Sequence, residues 1–228
     1  MTGLLGFILI FLHVFFPSHS QTIIKTLPGF AGQLPFKLET GYIGVGERED
    51  LQLFYYFVES QRNPKDDPLI IRLSGGPGCS DFPGFFYGTE PLAFDYTKSS
   101  DDLHNLEYQP FGWTQAANML YFDAPPAGFS YAKTPETYKN SDTLTAKYIH
   151  EFLRKWLNSH SKFKHNPVYV ATVSYAGIIG PILVQDIFNG IDRLTFVHLV
   201  SEGNEAGTEP PINIKKQRRI EIGLMVNS

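Results

Sequence analysis

The amino-acid sequence predicts an α/β fold, a mostly parallel sheet covered by helices, and three observations carry that prediction. Residues 69–73, 116–122 and 167–173 are short apolar runs with the length of buried strands. Two longer segments follow a helical period: Ala146, Ile149, Phe152, Leu153, Trp156 and Leu157 recur three and four residues apart within 141–160, and 176–188 reads as a second helix. Strands and helices of this size alternate along the chain, the pattern of parallel strands joined by helical crossovers.

The elements follow in order. Residues 4–16 are apolar apart from His13, and Pro17 and Ser18-His19-Ser20 come next. A short apolar core followed by small residues at a cleavage position is the pattern of a secretory signal peptide over 1–20, although Met1-Thr2-Gly3 carries no Lys or Arg. The stretch is shorter than the ~20 residues needed to span a bilayer. A secreted or vacuolar chain beginning near Gln21, with no membrane attachment after the leader is removed, is the expectation. Between Phe36 and Glu59, apolar runs at 41–45 and 51–58 flank Gly46-Glu47-Arg48-Glu49-Asp50, which predicts an antiparallel hairpin. Residues 62–68 are loop chemistry and lead into the strand at 69–73, which ends in a glycine cluster. Residues 96–111 are polar and are expected to be irregular. After the second helix, 191–200 is an apolar insert, 201–211 is loop-like, and Lys215-Lys216-Gln217-Arg218-Arg219 reads as a solvated tail.

Composition excludes several classes. With 228 residues, 43% apolar and 18% charged, the chain is long and apolar enough to bury a core and lacks the signature of disorder. A net charge of −4 argues against a nucleic-acid partner. One cysteine, Cys79, rules out an internal disulfide framework, and in an oxidising compartment an odd cysteine means an intermolecular bond, a reactive thiol or an absent partner. Neither a metal nor a cofactor is expected.

Two local patterns carry chemistry. At Ser74-Gly75-Gly76-Pro77-Gly78-Cys79-Ser80 a strand enters a loop with three glycines in four positions, which lets backbone N–H groups approach developing negative charge. At Val173-Ser174-Tyr175-Ala176-Gly177 a serine sits where a buried strand turns into a helix, the context of a nucleophile elbow. Taken singly, a tight strand–loop turn accounts for the first pattern and a serine N-cap for the second.

Together they resemble the serine carboxypeptidase-like proteins, an α/β-hydrolase branch of C-terminal exopeptidases and plant acyltransferases that use glucose-ester donors. The resemblance runs through Leu27-Pro28-Gly29-Phe30, Glu39-Thr40-Gly41-Tyr42-Ile43-Gly44-Val45, the glycine loop, Trp113-Thr114-Gln115-Ala116-Ala117-Asn118, Gly128-Phe129-Ser130-Tyr131, and Ser174-Tyr175-Ala176-Gly177 with Pro181. It implies an α/β-hydrolase domain over 21–190, incomplete by the family's standard, with an atypical insert and tail over 191–228. Ser174 would be the acyl-accepting nucleophile, the N–H groups of Gly76 and Tyr175 the oxyanion hole, Ser74 and Gly75 substrate-binding positions, and a peptide or small ester the substrate.

The departures from the family pattern are equally specific. Thr172 and Val173 stand where the family has Gly and an acidic residue, Ser74 where peptidases have Asn, and Arg72 where Trp is usual. The segment Asp123-Ala124-Pro125-Pro126-Ala127-Gly128-Phe129 is one residue shorter than its counterpart. The family pairs the cysteine of the glycine loop with a distant one that has no counterpart here. The triad Asp and His lie far downstream of the serine in the family. After Ser174 this sequence offers only Asp186, Asp192 and His198, none at a family position, so a catalytically inactive truncated product is the alternative. The matched pattern resumes at 202–214 after the insert, as a retained intron or faulty gene model would produce. Loss of the second half of the sheet is expected to leave a central strand unpaired.

Overall fold

Side chains alternate between the two faces of a strand, so a strand with apolar residues on both faces predicts a core on both sides of its sheet. The structure, a computed structural model, describes residues 21–86, 89, 91–100, 103–123, 128–138, 141–189, 197–202 and 222–224, and it has that arrangement. Leu51–Val58 (β3) sends Leu51, Leu53, Tyr55 and Phe57 to one core and Tyr56 and Val58 to the other. Asn118–Phe122 (β7) does the same with Leu120 and Phe122 against Met119 and Tyr121.

Among the described residues the main sheet has nine strands. Gln21–Ile24 (β1), Leu38–Val45 (β2) and β3 form an antiparallel meander, and β3 continues antiparallel onto β7. From there the sheet is parallel: β7, then Leu69–Leu73 (β4), Val168–Val173 (β9), Val197–Glu202 (β10) and Ile222–Leu224 (β11). A two-residue strand, Tyr131–Ala132 (β8), pairs with the start of β3. Asp142–Ser159 (α1) and Ala176–Asn189 (α2) cover one face. Ile149, Phe152, Leu153 and Trp156 of α1 and Leu183, Val184 and Ile187 of α2 pack on that core. Ser141 caps α1, its hydroxyl accepting from the Leu144 N–H at 3.3 Å. On the opposite face, a 3₁₀ turn at Phe82–Phe85 and the pair Leu92–Ser100 (β5) and Leu103–Tyr108 (β6) lie over the second core.

The predicted hairpin, the strands at 69–73, 116–122 and 167–173, and both helices stand where the sequence placed them. Two expectations are corrected. Residues 96–111 are not irregular through their length, because 92–100 and 103–108 pair antiparallel. Phe94, in the first of these strands, stacks on Phe86 with ring centroids 4.8 Å apart. Nor is a central strand left unpaired: β9 lies between β4 and β10, and the second of these comes from the segment read as an insert, whose Val197-His198-Leu199-Val200 run is strand-forming. The predicted signal peptide at 1–20, Asp192 and the basic run at 215–219 lie outside the described residues.

Candidate active site

The carboxyl ends of neighbouring parallel strands bring the two sequence patterns together. At the end of β9 the backbone of Ser174 turns into the left-handed region, φ 56°, a conformation that costs a residue with a Cβ of order 1–3 kcal/mol. The chain then enters α2 at once: the Gly177 N–H donates to the Ser174 carbonyl at 2.9 Å and the Ile178 N–H to the Tyr175 carbonyl at 3.0 Å. Ser174 is thus held on the sharp strand-to-helix bend that the sequence predicts. The Tyr175 hydroxyl donates to both oxygens of Asp142 in the first turn of α1, at 3.1 Å each, and ties the bend to the neighbouring helix.

The glycine loop leaves β4, the strand beside β9, and its backbone lies directly on this bend. A Cβ on Gly75 would come within 2.8 Å of the Ser174 Cβ, 2.8 Å of the Val173 carbonyl and 2.9 Å of the Tyr175 nitrogen, so only glycine admits the approach. Gly76 follows at φ 121°. Among the described residues, neither the Gly76 nor the Tyr175 N–H donates to a protein acceptor. The loop closes on itself through the Cys79 N–H and the Gly75 carbonyl, 3.2 Å apart, and Cys79 is exposed with a free thiol.

Of the residues the sequence singles out, Ser74, Gly75, Gly76, Ser174 and Tyr175 gather at this edge. Ser74 lies beside the Asp81 carboxyl and helps hold its pKa down. His198 lies in β10 in register with Tyr169, and Asp186 lies well along α2. No hydrogen bond from a histidine to the Ser174 hydroxyl is present among the described residues.

Sequence reasoning missed two buried carboxylates that build the loop. Asp123, at the end of β7, accepts from the Ser80 hydroxyl at 2.6 Å and from the Asp81 N–H at 3.0 Å on one oxygen, and from the Phe129 N–H at 2.8 Å on the other. Asp81 pairs with Arg72 on β4. An aspartate directly after the apolar run Met119-Leu120-Tyr121-Phe122 was the signal for Asp123. For Asp81 the only signal was its recurrence nine residues after an arginine placed in a buried strand.

The family model of the serine carboxypeptidases matches residues 28–214. This chain belongs to the serine carboxypeptidase family. Among curated relatives, serine carboxypeptidase-like 3 of Arabidopsis thaliana is 48% identical over 213 residues, covering 91% of this chain and 45% of the relative. Serine carboxypeptidase-like 4 of the same plant is 50% identical over 188 residues, covering 80% and 43%. The chain therefore spans less than half the length of the relatives it matches. Among solved structures, the Saccharomyces cerevisiae prohormone-processing carboxypeptidase Kex1(Δ)p superposes with a TM-score of 0.59 at 23% identity, over 74% of this chain and 39% of that one. That likeness shows the fold: this serine carboxypeptidase-like chain carries the α/β-hydrolase sheet from its antiparallel entry to the strand bearing Ser174 and beyond.

Proposed function

We propose that this chain carries the acyl-accepting centre of serine carboxypeptidase chemistry, with Ser174 as nucleophile and the N–H groups of Gly76 and Tyr175 as oxyanion donors. The observation that carries this reading is the left-handed Ser174 at the end of β9, with the Gly75 backbone packed against its Cβ. In the reaction the Ser174 oxygen adds to an ester or peptide carbonyl and gives up its proton to a base. Negative charge collects on the carbonyl oxygen, and the bond to the leaving alcohol or amine then breaks. One donor of such a hole supports about 10²–10³-fold in rate. Peptides with a free C-terminus and small esters, including acyl transfer from sugar esters, are the substrate classes. Val173 and Ser74 stand where terminal-carboxylate recognition would need an acid and an amide, which favours the ester side. A leader over 1–20 would route the chain to secretion or the vacuole, with the hydrolase unit following over 21–190. Among the described residues no helix is long and apolar enough to cross a membrane.

A second reading, a non-catalytic family product, is favoured by the altered elbow, where Thr172 and Val173 stand before Ser174 in place of the family's Gly and acidic residue. Labelling the purified chain with a fluorophosphonate, read by intact mass and by the modified residue, separates the two. Stoichiometric phosphonylation that is lost in Ser174→Ala is expected from the first reading. A native chain that stays unlabelled supports the second, and comparing a peptide with a free C-terminus against one with a blocked C-terminus then sorts peptidase from ester chemistry in any active preparation.

A further inference from the structure

A buried arginine–aspartate pair spans the glycine loop from stem to stem. Arg72 lies on β4, two residues before the loop begins at Ser74, and Asp81 follows its last residue, Ser80. Arg72 is 7% exposed and Asp81 is fully enclosed, and the guanidinium donates to one carboxylate oxygen of Asp81. The next turn is shaped to admit the pair. A Cβ on Gly84 would overlap the Arg72 guanidinium and come within 2.8 Å of the Asp81 carboxylate, and the Gly84 N–H donates to the Asp81 carbonyl at 3.0 Å. The other carboxylate oxygen of Asp81 is buried and has no hydrogen-bond partner among the described residues, so Arg72 is what orients the group. From below, Asp123 holds the Asp81 N–H and the Ser80 hydroxyl.

A guanidinium and a carboxyl are a costly way to fill such a space. Removing two ions from water offsets much of their attraction, and well-packed apolar residues of similar size are commonly as stable or more so. What apolar packing lacks is direction: a guanidinium fixes a carboxylate in angle as well as in distance. The loop has three glycines in four positions and little side-chain packing of its own, so its path depends on where its two stems are held.

We propose that Arg72 and Asp81 form a clasp that closes the two stems of the glycine loop and so sets the position of the Gly76 N–H beside Ser174. Gly84 makes the clasp possible, and Asp123 anchors it to β7. The assignment makes Arg72 and Asp81 positioning residues, acting on the reacting atoms through the loop, and it rests on the reading of Gly76 as an oxyanion donor.

The test uses the full chain and three variants: Arg72→Met, Asp81→Asn, and the double variant Arg72→Met/Asp81→Leu, which removes both charges and keeps the volume apolar. Amide hydrogen exchange is followed for β4, β9 and residues 75–82, together with the fluorophosphonate labelling rate of Ser174. The clasp predicts that the double variant retains native protection in β4 and β9 while the Cys79, Asp81 and Phe82 amides exchange at least tenfold faster and Ser174 labels at least tenfold more slowly. Native exchange in the loop of the double variant overturns it. So does loss of protection in β4 and β9 along with the loop, which would make the pair a general packing element. Should the single variants fail to fold, the double variant decides alone. If even the native chain does not label, the nucleophile reading fails, and the exchange measurement still judges the clasp.

Discussion

Asp81 shows how far burial can move one group. Dehydration pushes its carboxyl up to about 8, with Asp123 adding to the rise, although Arg72 and Ser74 both pull the other way. Tyr56 faces the same region, and burial together with Asp123 and Asp81 raises its hydroxyl as well. Unfolded, an aspartate gives up its proton near the ordinary value of 3.8, whereas the folded chain keeps this one until about 8, so at neutral pH the Arg72 guanidinium donates to a carboxyl that still holds its proton and the pair becomes fully ionic only above that value. Between those values the folded state binds more protons than the unfolded one, so stability falls as pH rises through that window and levels off above it. The expected result is a thermal midpoint that declines from about pH 5 to pH 8 in the native chain and declines less in Asp81→Asn. Equal slopes in the two chains would refute the assignment. At this scale Ser174, Gly75 and Gly76 were legible in the sequence, because a serine at a strand–helix junction and glycines at a strand end have few other uses together. Asp81 and Asp123 were not, since composition does not tell a loop carboxylate in water from one enclosed beneath its loop.

Among the elements, α1 carries the clearest sequence signal and much of the packing. Leu153 and Trp156 are fully buried, and Trp156 lies 4.7 Å from Phe57 of β3 between ring centroids. Truncating Leu153 to Ala removes a side chain from a site walled by both sheet and helix, and is expected to cost about 2–5 kcal/mol in chemical denaturation. A loss under about 1 kcal/mol would mean that the helix is less firmly seated on the sheet than its contacts indicate. The hairpin, β4, β7, β9 and both helices were readable because their apolar residues keep a period of two or of three to four, or run without interruption. The β5–β6 pair was hidden by its polar positions, although Leu92, Phe94 and Tyr96 do alternate with Ala93, Asp95 and Thr97. β10 is hidden for a different reason: its residues fall in an insertion relative to the family pattern, where no matched segment points to a strand.

The whole molecule has a core on each side of one sheet, and β3, β4 and β7 contribute side chains to both. Strands shared in this way should couple the two cores into one cooperative unit. The chain's two tryptophans make this measurable, because Trp156 lies in the core under the helices and Trp113 packs against the other. In the single-tryptophan variants Trp113→Phe and Trp156→Phe, fluorescence and far-ultraviolet circular dichroism are expected to give coincident unfolding midpoints within each variant. A Trp113 signal that melts separately from the backbone signal would show the face beneath β5 and β6 to be an independent unit.

The strand order also bears on how the chain is made. β4 is flanked by β7 and β9, yet β7 begins at Asn118 and β9 only at Val168, which is 95 residues after Leu73. A ribosome adding about 5–20 residues per second would deliver β9 about 5–20 s after β4 has been polymerised. For that interval a strand of Leu, Ile, Ile, Arg and Leu lacks one of its two neighbours. Arg72, the one charge in the run, is therefore also a gatekeeper, keeping the nascent segment soluble before Asp81 and the rest of the sheet enclose it.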